Sequence, residues 1–294
     1  MTRYRVTHRT SYRYEHVVTA SYGLLHVLPR TLPQQTCESS ELVIEPAPGE
    51  VRERTDFFGN RSAWFALHAP HRELRITATS VVDRAPVLPT LDADGPPWEE
   101  VRDGAGERDI DAALHRLPSP RVRPGPALAA YATPSFPRGR PVIEGLRDLT
   151  HRIHADFAYR PGSTTVRSTV EEVLDRREGV CQDFAHVAIG CLRSLGLPAR
   201  YVSGYLETFP PPGRPRLVGA DQSHAWLAAY APGVGWVDAD PTNNRLVNDR
   251  YVTTAWGRDY SDVPPVRGVI YTDGPTKALE VTVDVEPLPS DPLG

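Results

Sequence analysis

The stretch "GVCQDFAHVAIGCLRSLGLPAR", residues 179–200, places a cysteine at the start of a strongly apolar run. Its apolar side chains recur at helical spacing, which predicts a mostly buried helix from Cys181 that stops before Gly196 and Pro198. The first N–H groups of a helix lack intrahelical partners and its dipole favours negative charge there, so Cys181 can be a reactive thiol. It can equally be a small core hydrophobe, because free cysteine is often buried.

A second stretch, "SHAWLAAYAPGVGWVDADPTNN" (residues 223–244), has two alternating runs around a Pro-Gly-Val-Gly turn, which predicts a β-hairpin. If Tyr230 pairs with Trp236, then His224 and Asp240 are diagonal neighbours on one face, with Cα atoms about 7–8 Å apart. A shift of one residue would turn Asp240 to the opposite face. The interpretation therefore depends on this register.

These residues suggest a thiol activated by an imidazole that is held by a carboxylate. A carboxylate fixes the tautomer of histidine and raises its basicity, which a base acting on a thiol requires. On this hypothesis Cys181 is the nucleophile, His224 the base and Asp240 the orienting group. The alternatives are a histidine that only packs and an aspartate before proline that only starts a turn.

Three blocks in the same order resemble the bacterial transglutaminase-like family: residues 179–206, residues 223–244 and "TAWGRDYSDVPPVRG", residues 254–268. Residues 1–86 resemble the β region that accompanies this family's core. The resemblance implies an α+β fold with a papain-like, transglutaminase-like core. It also implies a catalytic triad, with roles that fall on Cys181, His224 and Asp240.

The implied reaction is attack of the Cys181 thiolate on an amide carbonyl, followed by transfer of the acyl group from a thioester to an amine or to water. The expected partners are a peptide or protein amide and an amine acceptor. We expect the oxyanion donors to be the backbone N–H of Cys181 and Tyr159, although Tyr159 can also be a core residue. Gln182 and Trp226 are candidate cleft residues, and packing is an equal alternative for Trp226.

Two other functions stay open: a cysteine peptidase or isopeptidase, and a non-catalytic binding module that retains the fold. No cofactor is expected. A metal site of Cys181, His186 and Cys191 is not expected, because steps of five residues rotate about 140° around a helix and point the side chains apart.

The chain divides into three parts on its patterning. Residues 1–86 begin with the alternating run "RYRVTHRTSYRY" and predict a small antiparallel β domain, whose arginine face we interpret as solvated. Residues 87–137 are rich in Pro and Gly and predict a linker or wrapping segment, with a short helix near 109–117. Residues 138–294 are the expected catalytic domain, in which helices precede strands.

Two helices are predicted before Cys181. One covers residues 141–157. The other has a capping box at Ser168 and Glu171 and ends at Gly179.

Composition excludes several classes of protein. The chain has 294 residues, 40% of them hydrophobic and 24% charged, which is typical of a globular protein, and its net charge of −4 gives no attraction to nucleic acid or anionic membrane. No apolar run approaches the roughly 20 residues that span a bilayer, and no signal peptide is apparent at the start, so we expect a cytoplasmic location. The three cysteines are expected to be free thiols, and the oligomeric state is left open.

Overall fold

The computed structural model describes residues 1–86, 94–104, 109–165, 168–208 and 223–289. Their α-helices are α1 Trp98–Gly104, α2 Ile110–Leu114, α3 Pro126–Ala132, α4 Val142–Asp156, α5 Val170–Arg176 and α6 Cys181–Ser194. Their strands are β1 Thr2–Val18, β2 Ala20–Leu25, β3 Gln35–Glu45, β4 Glu50–Thr55, β5 Arg61–Leu67, β6 His71–Arg84, β7 Ala158–Tyr159, β8 Glu178–Gly179, β9 Ala199–Leu206, β10 Ser223–Ala231, β11 Gly235–Asp240, β12 Arg245–Leu246, β13 Tyr251–Gly257, β14 Val266–Tyr271 and β15 Thr276–Leu288. None of these helices is long and apolar enough to cross a membrane. The predicted α+β class is confirmed.

A five-stranded antiparallel sheet with strand order β12-β11-β10-β9-β13 forms the centre of the second half of the chain. Helix α6 lies against β9 and β10 and is buried along almost its whole length, as its apolar pattern predicts. It ends before Gly196, whose φ of +80° is a conformation that glycine adopts without strain. The same core includes side chains of α3, α4 and α5.

A buried arginine fixes the C-terminal end of α6. Arg193 is 3% exposed, and its guanidinium donates to the carbonyl oxygens of His115, Ala199 and Arg258 and to the hydroxyl of Ser119. A cation is favourable at a helix C-terminus, and every guanidinium nitrogen has an acceptor, so the cost of burying this charge is offset.

The N-terminal part consists of two four-stranded sheets, ordered β15-β1-β6-β3 and β14-β2-β5-β4. The predicted alternation in β1 is confirmed: Tyr4, Val6 and His8 are buried, whereas Arg5 and Arg9 are exposed.

Strands β14 and β15 belong to the N-terminal sheets, where β14 pairs with β2 and β15 pairs with β1. The sequence placed both strands within the expected catalytic domain, residues 138–294, because the period of a strand does not reveal its partner. The expected linker also contains structure, since α1, α2 and α3 lie within it and Leu128 is buried in the main core. Residues 87–93 and 105–108 of that segment lie outside the described residues.

Helix α5 differs from the prediction at both ends. Its capping box is formed by Thr169 and Glu172, one residue later than expected, with reciprocal hydrogen bonds of 3.2 and 3.0 Å. Its last turn closes at Arg177, which has a left-handed φ of 55°, rather than at Gly179. Gly179 instead pairs with Tyr159 in the short parallel pair β7–β8.

Gly204 permits close packing in the central sheet. A Cβ atom there would lie 2.1 Å from the backbone oxygen of Val252 and 2.6 Å from the ring of Trp226. We predict that Gly204→Ala lowers the free energy of unfolding by about 2 kcal/mol or more, since a backbone oxygen cannot move aside. Urea denaturation measures the loss. Gly49→Ala is the matched control, because no atom lies within 4 Å of its added Cβ, and equal stability of the two variants would contradict this packing.

Candidate active site

The turn before α6 fixes the position of Cys181, which is half-buried and has a free thiol. The carboxylate of Asp183 accepts hydrogen bonds from the N–H of Val180 at 2.9 Å and from the hydroxyl of Thr164 at 2.6 Å. Gly179 lets this carboxylate pack closely, since a Cβ there would lie 2.8 Å from its oxygen. Asp183 thus complements the helix N-terminus and holds the chain that presents the thiol.

The hairpin β10–β11 places His224 beside Asp240. Tyr230 pairs with Trp236, which is the register expected from the sequence. Nε2 of His224 lies 2.7 Å from Oδ2 of Asp240. The side chain of His224 is 10% exposed and that of Asp240 is fully buried.

The side chain of Cys181 lies near the His224 ring, because it is among the groups that raise the pKa of this histidine. The amide nitrogen of Asn243 lies 3.4 Å from Nε2 of the same ring. The imidazole therefore contacts the buried carboxylate directly and lies close to the sulfur.

The charges around His224 favour its protonated form. Burial alone would lower the pKa of the imidazole, but its hydrogen bond to Asp240, the neighbouring Cys181 side chain and the negative charges of both raise the pKa of His224 to about 10. The raised pKa of His224 favours the imidazolium at neutral pH.

The carboxylate of Asp240 has five hydrogen-bond donors. Oδ2 accepts from His224, from the amide of Asn243 at 2.7 Å and from the hydroxyl of Tyr251 at 2.7 Å. Oδ1 accepts from the backbone N–H groups of Thr242 at 2.8 Å and Asn243 at 3.2 Å. Burial raises the pKa of Asp240, but the hydrogen bonds from His224, Asn243 and Tyr251 outweigh it, so the pKa lies below its usual range. The group stays ionised.

Three further residues were singled out from the sequence. Tyr159 is 47% exposed, its ring packs edge-on against Phe184, and burial and the charge of Cys181 raise its pKa, so it lies near the thiol. Gln182 is half-buried in the first turn of α6. Trp226 is fully buried and donates to Asp238 at 2.8 Å, a position that fits core packing rather than the wall of an open cleft.

Sequence reasoning missed Asn243 and Tyr251. Asn243 follows the Asp-Pro-Thr turn, so the turn pattern could have indicated it. Tyr251 begins a strand that is not adjacent to β11, and no spacing in the sequence indicates its contact with Asp240.

His186 has a structural partner. Its Nε2 accepts the N–H of Tyr260 at 3.2 Å, and burial lowers the pKa of His186 to about 4, so the ring is neutral. The described residues include no group of three His, Cys, Asp or Glu side chains that could hold a metal ion.

Comparison with known proteins identifies the family of this chain. The model of the bacterial transglutaminase-like N-terminal region matches residues 4–83, and that of the transglutaminase-like superfamily matches residues 131–241. An uncharacterised protein of Mycobacterium tuberculosis is 48% identical over 300 residues, which cover 99% of this chain and 95% of the relative. The chain therefore belongs to the transglutaminase-like superfamily and includes its bacterial N-terminal region.

Two other proteins are similar in part or in fold. A protein-glutamine gamma-glutamyltransferase of Pseudomonas aeruginosa is 30% identical over 138 residues, 46% of this chain and 20% of that protein. The crystal structure of a candidate cysteine protease from Cytophaga hutchinsonii matches with a TM-score of 0.73 and 21% identity, covering 99% of this chain and 92% of the other. The latter match shows a shared fold.

The ionisation of His224 can be measured directly. We predict that NMR of ring-labelled histidine finds His224 protonated at neutral pH and titrating near pH 10, because Asp240 and Cys181 stabilise the imidazolium. Asp240→Asn should lower the pKa of His224, since it removes one of the two negative charges. A wild-type His224 that titrates near the ordinary value of about 6.5 would contradict this electrostatic account.

Proposed function

We propose that this protein is a cysteine-dependent acyltransferase or amide hydrolase that acts through a thioester. Cys181 is the nucleophile, His224 the general base and acid, and Asp240 the group that orients His224. The supporting observation is the 2.7 Å contact between His224 and the buried carboxylate of Asp240, with the half-buried thiol of Cys181 near the same ring.

The reaction has two halves. In the first, the Cys181 thiolate attacks an amide carbonyl, a C–S bond forms, and the carbonyl oxygen becomes an oxyanion. When this intermediate collapses, the C–N bond breaks, and the imidazolium of His224 gives its proton to the leaving amine or ammonia. In the second, an amine or water loses a proton to His224 and attacks the thioester, and the C–S bond breaks to restore the thiolate.

The oxyanion requires hydrogen-bond donors near the sulfur. The backbone N–H of Cys181 is one proposed donor, since the first helical N–H groups have no intrahelical partner. The hydroxyl of Tyr159 is the second, supported by its exposure and by its position near the charge of Cys181. Gln182 is proposed to line the same cleft.

The proposed acyl donor is an amide of a peptide or protein, and the acceptor is an amine or water. A cysteine peptidase or isopeptidase is the second candidate, because water and amines compete for one thioester. A binding module is less well supported, since binding alone does not require an imidazolium beside a half-buried thiol.

The cytoplasmic location expected from the sequence stays a prediction, and subcellular fractionation tests it.

The proposed reaction predicts release of ammonia from a glutamine-containing peptide, with incorporation of an added primary amine. Mass spectrometry of the peptide and an ammonia assay measure the two products. Cys181→Ala should fall to the background rate because it has no nucleophile, and Cys37→Ala, which removes a half-buried thiol in β3, should keep full activity. Cleavage without incorporation would favour a hydrolase. Activity that survives in Cys181→Ala would contradict the proposal.

The role of Tyr159 has its own test. Tyr159→Phe keeps the ring that packs against Phe184 and removes only the hydroxyl. We predict that kcat falls about 100-fold with little change in KM, because an oxyanion donor acts in the transition state. Steady-state kinetics measure both constants, and an unchanged kcat would exclude Tyr159 as a donor.

A further inference from the structure

Tyr251 contacts the buried carboxylate from a distant strand. It is fully buried at the start of β13, and its hydroxyl donates to Oδ2 of Asp240, the oxygen that also faces His224. In the sheet order, β13 is separated from β11 by β10 and β9. Its ring packs edge-on against Trp226, with centroids 5.3 Å apart, and lies 6.1 Å from the His224 ring.

We propose that Tyr251 is a positioning residue of this site: its hydroxyl holds Oδ2 of Asp240, as a carboxylate oxygen, against His224. The inference rests on the proposed function, because positioning has a chemical consequence only if His224 serves Cys181. It goes beyond the triad by assigning a fourth side chain that controls the charge and direction of the third.

The hydroxyl of Tyr251 is one of several donors that together fix the orientation of the Asp240 carboxylate. Two backbone N–H groups, those of Thr242 and Asn243, hold Oδ1. The phenol and the amide of Asn243 hold Oδ2 from two further directions. The carboxylate therefore cannot rotate away from His224 without losing several hydrogen bonds at once.

The phenol also favours one protonation state of Asp240. A hydroxyl that donates to a carboxylate stabilises the ionised form, so losing it raises the pKa of the carboxyl group. Burial and the charge of Asp240 raise the pKa of Tyr251, which keeps the phenol a donor across the working pH range.

Several other charged or titratable groups face this pair. The imidazolium of His224 contacts Asp240 from β10, and Cys181 of α6 lies beyond that ring. Arg245 pairs with Asp240 across β11 and β12, and it acts on Tyr251 together with Arg250. These groups stay in place when only the hydroxyl is removed.

The test compares Tyr251→Phe with Tyr205→Phe in the full chain. Tyr205 is a matched control because it is also a buried tyrosine, on neighbouring β9, and its hydroxyl donates to the backbone oxygen of Val27 instead of to the site. Iodoacetamide is the probe, the rate of Cys181 alkylation is followed by peptide mass spectrometry from acidic to alkaline pH, and the melting temperature of each variant is recorded. Cys37 in the same molecules is the internal reference, a half-buried thiol whose pKa is raised by burial.

The rate of Cys181 alkylation falls as the pH is lowered, and we call this fall the acid limb of the pH profile. We expect its midpoint to move about one pH unit toward neutrality in Tyr251→Phe and to stay in place in Tyr205→Phe. The alkylation rate on the acid side should then fall up to about tenfold in Tyr251→Phe alone. Equal limbs in the two variants would overturn the inference, even if both variants melt earlier than the wild type. Wild-type Cys181 that reacts no faster than Cys37 would instead overturn the proposed function.

Discussion

A carboxylate that is removed from water must be satisfied by hydrogen-bond donors, and this constraint organises the site. Burying an unpaired charge costs several kcal/mol, so Asp240 can be fully buried only because five donors converge on it. One of those donors is the ring of His224. The need to satisfy the buried carboxylate of Asp240 therefore also sets the direction and charge of the imidazole.

The rest of the fold supports this arrangement from two sides. Helix α6 is held at its start by Asp183 and at its end by Arg193, so the thiol has a defined position relative to the sheet. Strand β13, which begins with Tyr251, is fixed from the N-terminal sheets: the side chain of Gln35 hydrogen-bonds both backbone groups of Thr253. The N-terminal region is thus hydrogen-bonded to a strand whose first residue contacts Asp240.

Local patterns predicted much of this from the sequence, because the features concerned are local. The periodicity after Cys181 predicted α6, and the Pro-Gly-Val-Gly turn predicted a hairpin, whose assumed register of Tyr230 opposite Trp236 is confirmed. Two overlapping Ser/Thr-x-x-Glu patterns, at Ser168 and Thr169, are equally good capping boxes by sequence. This explains why α5 begins one residue later than predicted.

Non-local contacts were not predictable in the same way. The pairing of β15 with β1 and the contact of Tyr251 with Asp240 join segments that are distant in the sequence. The alternation of side chains along a strand is the same whichever strand it pairs with, so it does not identify the partner. The two roles weighed for Asp240, a turn former and a partner of His224, also proved compatible: Oδ1 closes the turn while Oδ2 faces the ring.

We propose that the carboxylate of Asp240 makes Cys181 an acyl carrier through His224. Intact-mass and peptide mass spectrometry of acid-quenched protein, after exposure to a small activated ester, tests it without knowledge of the natural substrate. We predict one acyl group on Cys181, released by hydroxylamine as a thioester should be, and formed at least about 100-fold more slowly in Asp240→Ala. No acyl group on Cys181, or an equal rate in that variant, would contradict it.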